Sequence, residues 1–250
     1  MDAAYDPRLS VVGTGGTIVL IPGMDGTGTL FYRQVPLLAR SYRVVTYALR
    51  ESAPTMDALV ADLAAVIDAV APAEERVTLL GESFGGALAL NFALARPRRV
   101  DRLVILNSFP YFAPQVRLRL AALALRALPW GAMQVVRRLT ASRLHSAHTH
   151  RTEVRRFLEL TARTTRAGYL NRLTLLTNYD VRRRLQEIRS PVLFLAADQD
   201  RLVPAVAQAQ SMAACTPGSA VRVLKGHGHI CLIAPDIDLE QILTEWKRMA

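Results

Sequence analysis

Gly81-Glu82-Ser83-Phe84-Gly85-Gly86 is the stretch on which the reading of this chain turns. The residues before it, Val77-Thr78-Leu79-Leu80, are apolar or β-branched, as in a strand buried on both faces. Residues 84–95 carry a single polar side chain, Asn91, before Arg96-Pro97 halts them, as in a buried helix ended by proline. A serine at a strand-to-helix junction occupies a sharp, strained turn. It needs glycines on both sides because a Cβ there would meet the neighbouring strand and helix. The turn lifts the hydroxyl out of the sheet as an exposed nucleophile. Glycine, any, serine, any, glycine is common by chance; its place between strand and helix gives it weight.

The same alternation runs outward in both directions. Residues 17–21 read as a short buried strand feeding the turn Pro22-Gly23, and residues 43–48 repeat the pattern. Met56, Leu59, Val60, Leu63, Ile67 and Val70 recur at helical spacing behind a capping Thr55. Strands over 103–106, 192–196 and 220–224 and helices over 204–214 and 237–248 complete an α/β chain. Such alternation predicts a mostly parallel sheet of about six or seven strands covered by helices on both faces. Residues 108–188 break the rhythm. They show helical patterns over 116–128 and 154–166 and no strand, so they are expected to form a helical cap inserted into a core made of residues 1–107 and 189–250. There are no internal repeats and no low-complexity segments.

At 250 residues one domain with an insertion is expected. A composition of 51% hydrophobic and 21% charged residues excludes a largely disordered chain. The net charge of +10 raises nucleic acid or an anionic membrane as partners, but its location narrows the question. Residues 111–190 hold 16 basic against 4 acidic residues, and the remainder holds 15 against 17. The excess belongs to the insertion, where arginines share space with many leucines. Packing over a pocket, contact with acyl chains or an anionic membrane surface, and the coding bias of a GC-rich genome all remain open. No nucleic-acid motif is present. Cys215 and Cys231 are too few for a disulfide scaffold and lack metal-type spacing. Residues 1–7 do not read as a signal peptide, and no run of about 18 apolar residues occurs. A cytoplasmic protein, at most peripherally attached to a membrane, is expected.

A serine is inert without a base, which demands a histidine and an acid at the ends of later strands. His229, in Gly226-His227-Gly228-His229, follows the last strand, and Asp198 and Asp200 follow the strand over 192–196. The order serine, acid, histidine is satisfied, with His227 and Asp198 as competitors.

With these residues in hand, the chain resembles a serine hydrolase of the α/β-hydrolase superfamily over nearly all its length outside the cap. In that family the histidine follows a glycine and precedes an apolar stretch leading to proline, which selects His229 with Pro235 beyond. The acid lies past a small residue and before an apolar-proline step, which selects Asp200, between Ala197 and Leu202-Val203-Pro204. Some members take the acid from the strand after the nucleophile helix, but here Asn107-Ser108-Phe109 offers none. By the same resemblance the backbone N–H groups of Phe84 and of Met24, in Pro22-Gly23-Met24-Asp25-Gly26-Thr27-Gly28, form the oxyanion hole, and Ser83, Asp200 and His229 the catalytic triad. Here Pro22-Gly23 replaces a common His-Gly. The expected activity is cleavage of a carboxylic ester or thioester, a lipid-like acyl group being one candidate, through an acyl-serine, without metal, nucleotide or redox cofactor. The two glycine motifs also resemble lipid acyltransferases that pass the acyl group to an alcohol. A non-catalytic ligand-binding or membrane-associated module on the same fold is the remaining alternative.

Three further readings are bland. The spacing of glycines 23, 26 and 28 is wrong for a dinucleotide site. His145, His148 and His150 read as a polar loop with no carboxylate ligand nearby. Glu82 reads as hydrogen-bonded support for the turn and not as a second base.

Overall fold

The computed structural model describes residues 7–112, 129, 131, 132 and 144–249; the helix expected over 116–128 lies outside them. Seven strands form one sheet: β1 (Ser10–Val12), β2 (Gly16–Ile21), β3 (Tyr42–Thr46), β4 (Val77–Glu82), β5 (Val100–Leu106), β6 (Val192–Ala197) and β7 (Ser219–Leu224). Their spatial order is β1-β3-β2-β4-β5-β6-β7. Every neighbouring pair is parallel except β1 with β3, which pair antiparallel through Ser10↔Thr46 and Val12↔Val44. β1 was not expected. Its three residues are exposed, so it carries no hydrophobic signature and exists through its ladder to β3.

The strands divide their side chains between two cores with a period of two, as a pleated strand must. Ile18, Leu20, Leu80, Val104, Leu106, Leu193 and Leu195 face one core. Helix α1 (Gln34–Leu38) and the last helix meet that face through Leu38 and Trp246. Val19, Ile21, Leu79, Leu103, Ile105, Phe194 and Ala196 face the other core, under α2 (Met56–Val70) and α3 (Phe84–Ala95). Thr55 caps α2 as expected, its hydroxyl accepting from the Ala58 N–H at 3.1 Å. Helix α3 is buried on nearly every face, which is why it has no polar stripe. Truncating one of its fully buried leucines, such as Leu88, would cost about 2–5 kcal/mol.

Between β5 and β6 lie α4 (Arg151–Thr161) and α5 (Arg166–Leu176), where one helix over 154–166 was expected. The break has a local cause. Thr161 turns its hydroxyl back onto the Phe157 carbonyl at 2.9 Å, and the Thr165 hydroxyl accepts from the Gly168 N–H at 3.1 Å, starting a new helix. Helix α6 (Ala205–Ala213) follows β6, and α7 (Leu239–Met249) closes the described chain, beginning two residues later than its apolar pattern suggested. No described helix is long and apolar enough to cross a membrane.

The connection from β2 runs one way across the sheet to β3, and from β4 onward the chain runs the other way. The carboxyl ends of β2 and β4 therefore flank the topological switch point, where open parallel sheets leave a crevice.

Candidate active site

Ser83 stands in that crevice, between β4 and α3, with φ 53° and ψ −116°. This left-handed geometry costs a non-glycine residue roughly 1–3 kcal/mol and persists only where the surroundings enforce it. Here they do. The Ser83 N–H donates to the Leu106 carbonyl at 2.9 Å, and the Ser108 hydroxyl donates to the Ser83 carbonyl at 2.6 Å. A Cβ on Gly85 would strike the Ile21 carbonyl oxygen, so the elbow packs against β2 only because that position is glycine. Asn107, at the next strand end, is the second strained residue of the site, with φ 46°.

The loop after β2 lies directly across from the serine. A Cβ built on Gly23 would sit 3.7 Å from the Ser83 Cβ. Within this loop the Gly26 N–H donates to the Gly23 carbonyl at 3.1 Å, and the Asp25 carboxylate accepts from the Thr27 N–H at 2.8 Å. The carbonyls of Met24 and Asp25 are held from outside by Arg172 on α5. Its Nε donates to Met24 at 3.0 Å and its Nη2 to Asp25 at 3.1 Å. Arg172 is 1% exposed, an arginine spent on backbone carbonyls. It thereby fixes the peptide planes on either side of Asp25, directly after Met24, the residue proposed from the motif as an oxyanion donor. Nothing in the sequence marked this arginine out from the others of the insertion.

His229 and Asp200 meet. Nδ1 of His229 lies 2.7 Å from Oδ2 of Asp200, and Oδ1 of Asp200 accepts from the N–H groups of Leu202 and Val203 at 2.8 and 2.9 Å. The carboxylate is thus locked at both oxygens and the imidazole is oriented by one. Asn107 braces this pair. Its Nδ2 donates to the His229 carbonyl at 2.8 Å, and its Oδ1 accepts from the Ala197 N–H at 2.8 Å. One amide therefore ties the end of β5 to the end of β6 and to the histidine loop, which explains why its strained backbone is retained.

Neither competitor joins the pair. Asp198 instead accepts from the Gly226 N–H at 2.7 Å. His227 turns the other way, with Nδ1 2.8 Å from the Ser146 hydroxyl and Nε2 3.3 Å from Asp236. Burial pushes the His227 imidazole below its usual pKa against the pull of Asp236, so it is neutral at pH 7.

Two expectations need correction. Glu82 is buried beside Ser83, but no hydrogen bond to its carboxyl is found among the described residues. Burial pushes it up to about 7, with His229 opposing the shift and Asp25 and Asp200 adding to it. It is therefore a buried carboxyl with a raised pKa next to the serine and not a hydrogen-bonded brace. The histidines of residues 145–150 are not a simple polar loop either. His145 is buried, edge-on to Phe157, and bridges to Ile230, and His148 Nε2 lies 2.7 Å from Asp236. The carboxylate missing from the local sequence comes from beyond β7.

A family model described as the alpha/beta hydrolase fold matches residues 16–234. The chain belongs to the alpha/beta hydrolase family. Among relatives of this alpha/beta hydrolase is the "Putative carbamate hydrolase RutD" of Cronobacter sakazakii, 30% identical over 239 residues that cover 86% of this chain and 84% of the relative. A thermophilic esterase from Thermogutta terrifontis superposes with a TM-score of 0.84 at 21% identity, covering 96% of this chain and 92% of that one. A bromoperoxidase from Bacillus anthracis superposes with a TM-score of 0.83 at 20% identity, covering 96% and 94%. At such identities the two structures speak for the fold alone. The matched span includes the segment between β5 and β6.

Proposed function

We propose that this alpha/beta hydrolase cleaves carboxylic esters or thioesters through an acyl-serine. Ser83 attacks the carbonyl carbon while Nε2 of His229 takes the hydroxyl proton, and Asp200 holds the imidazole in the required tautomer and stabilises the imidazolium. The N–H groups of Met24 and Phe84 receive the negative charge that develops on the carbonyl oxygen, an interaction typically contributing about 10²–10³ in rate per donor. The imidazolium returns its proton to the departing alcohol or thiol. Water, deprotonated by the same imidazole, then releases the acid and restores Ser83. The observation that supports this reading best is the 2.7 Å contact of His229 Nδ1 with Asp200, which commits that nitrogen to the carboxylate and leaves Nε2 free to act as base.

Turnover of a chromogenic short-chain ester tests it. Ser83→Ala should reduce the rate to background with an unchanged melting temperature; full activity in that variant would remove Ser83 from the mechanism. The relative named as a carbamate hydrolase motivates a second reading in which the same residues attack a carbamate carbonyl. Comparing kcat/KM for matched alkyl esters and alkyl carbamates distinguishes the two, and Ser83→Ala abolishes both on this account.

A further inference from the structure

The side of the histidine loop that faces away from Asp200 carries its own constellation. One ligand atom from each of His148, His227 and Asp236 lies within 4.8 Å of the others. His148 comes from the segment between β5 and β6, and the other two residues flank His229 in sequence. We propose that His148, His227 and Asp236 form a site for a divalent transition-metal ion of the zinc class, which staples that segment to the loop carrying His229.

The donor chemistry selects this class. Two imidazoles and one carboxylate suit zinc and its first-row neighbours, whereas magnesium and calcium favour sites built of oxygen alone. The ligand atoms, spread over up to 4.8 Å, must draw together by as much as about 1.5 Å at the widest pair to hold an ion, and the carboxylate side of the site is already near that spacing. Ligands bonded at about 2.0–2.1 Å in a tetrahedron stand roughly 3.3 Å apart, and His227 Nε2 lies 3.3 Å from Asp236 Oδ2. His148 Nε2, 2.7 Å from Asp236 Oδ1, has to open by a fraction of an ångström. Its side chain is 42% exposed and that of Asp236 53%, so both can adjust and water can complete the coordination.

His227 is already oriented for ligation. Its Nδ1 is engaged by the Ser146 hydroxyl at 2.8 Å, and a metal-binding imidazole characteristically donates its other N–H to such a partner, which fixes the tautomer. The backbone around the site is also preassembled. The Ile230 N–H donates to the Leu144 carbonyl at 2.8 Å, and a Cβ on Gly228 would come within 2.6 Å of that same oxygen. The ion would therefore join two segments already in register. This proposal does not depend on the role given to Ser83.

The test uses the tag-free full chain, freed of metal by a chelator. Equilibrium dialysis against Zn²⁺ should give one ion bound per chain with a saturable rise in melting temperature, and Mg²⁺ should give neither. His148→Ala and Asp236→Asn, both at exposed side chains, should each weaken Zn²⁺ binding more than tenfold. Ser146→Ala should weaken it by roughly 10- to 100-fold, because His227 Nδ1 loses the hydroxyl that orients the ring. Failure of the unaltered chain to retain Zn²⁺ would overturn the proposal and leave a hydrogen-bonded cluster only. Undiminished binding by a His148→Ala, Asp236→Asn double variant would overturn it equally.

Discussion

The carboxyl edge of the sheet and the segment between β5 and β6 are held together by different physics. At the sheet edge, Ser83 and Asp200 stand on turns rooted in strands whose side chains are buried on both faces, His229 follows the half-exposed β7, and every brace is short and local to a strand end. The described part of the segment between β5 and β6 shares the apolar core through Leu173, Leu176 and Tyr179, but it meets the loops of that edge through polar anchors. Arg172 grips the carbonyls of Met24 and Asp25, Asn171 donates to the Ala53 carbonyl at 2.8 Å, and the Tyr32 hydroxyl donates to Glu153, which also pairs with Arg33 at 3.3 Å. Arg156 lies over the Tyr32 ring at 3.9 Å. A packed apolar edge fixes atoms firmly; polar anchors can be exchanged without unfolding the core. On the proposed mechanism reactivity belongs to the edge, and loop positioning to the anchors.

If the edge carries reactivity, Asp200→Asn should show the largest effect. The variant keeps an oxygen to accept from Leu202 and Val203 but loses the charge and the tautomer control on His229, so kcat should fall on the order of 10⁴-fold with a near-normal melting temperature. A fall of less than tenfold would mean that another acid serves His229.

Arg172→Met sharpens the boundary between the two regions, since it removes an anchor that acts on the reactive loop. The part-buried carbonyls of Met24 and Asp25 lose charged donors, each such hydrogen bond being worth about 1.5–3 kcal/mol. The variant should be destabilised on denaturant melts, and kcat should drop about 10- to 100-fold at little change in KM, as expected when an oxyanion donor is misplaced. A loss confined to KM would place Arg172 in substrate binding instead.

Glu82→Gln gives a smaller, pH-dependent effect. The Glu82 carboxyl is pushed up to about 7 in the folded chain, above its ordinary 4.5, so between those values the folded state holds more protons than the unfolded state. Its contribution favours folding at low pH and is lost as pH rises through that window. The unaltered protein should lose stability from pH 4.5 to 7 relative to Glu82→Gln, and parallel stability curves would contradict the assignment. Smallest of all, Tyr32→Phe removes one anchor of α4 and should cost within about 1 kcal/mol, read best as faster hydrogen exchange in residues 151–161.

The sequence is most legible where apolar periodicity and glycine sterics leave few choices. Residues 84–95 form α3 with the expected ends, and the six expected strands lie within two or three residues of their expected bounds. His229 and Asp200 were distinguishable from His227 and Asp198 because their spacing to Pro235 and Val203-Pro204 follows a family pattern. What escaped notice depends on contacts remote in sequence. β1 is specified by pairing with β3, α1 has five residues, Asn107 matters through carbonyls and amides of three strand ends, and Arg172 is one arginine among many until its burial is known. Asp236 is likewise invisible as a partner of His148, which lies far away along the chain.

The central claim, that Ser83 is a nucleophile activated by His229, is tested most directly by intact-mass spectrometry after brief exposure to a fluorophosphonate. The account predicts a single adduct on Ser83 that disappears in Ser83→Ala and forms far more slowly in His229→Ala. An unmodified chain, or an adduct that survives Ser83→Ala, would contradict it.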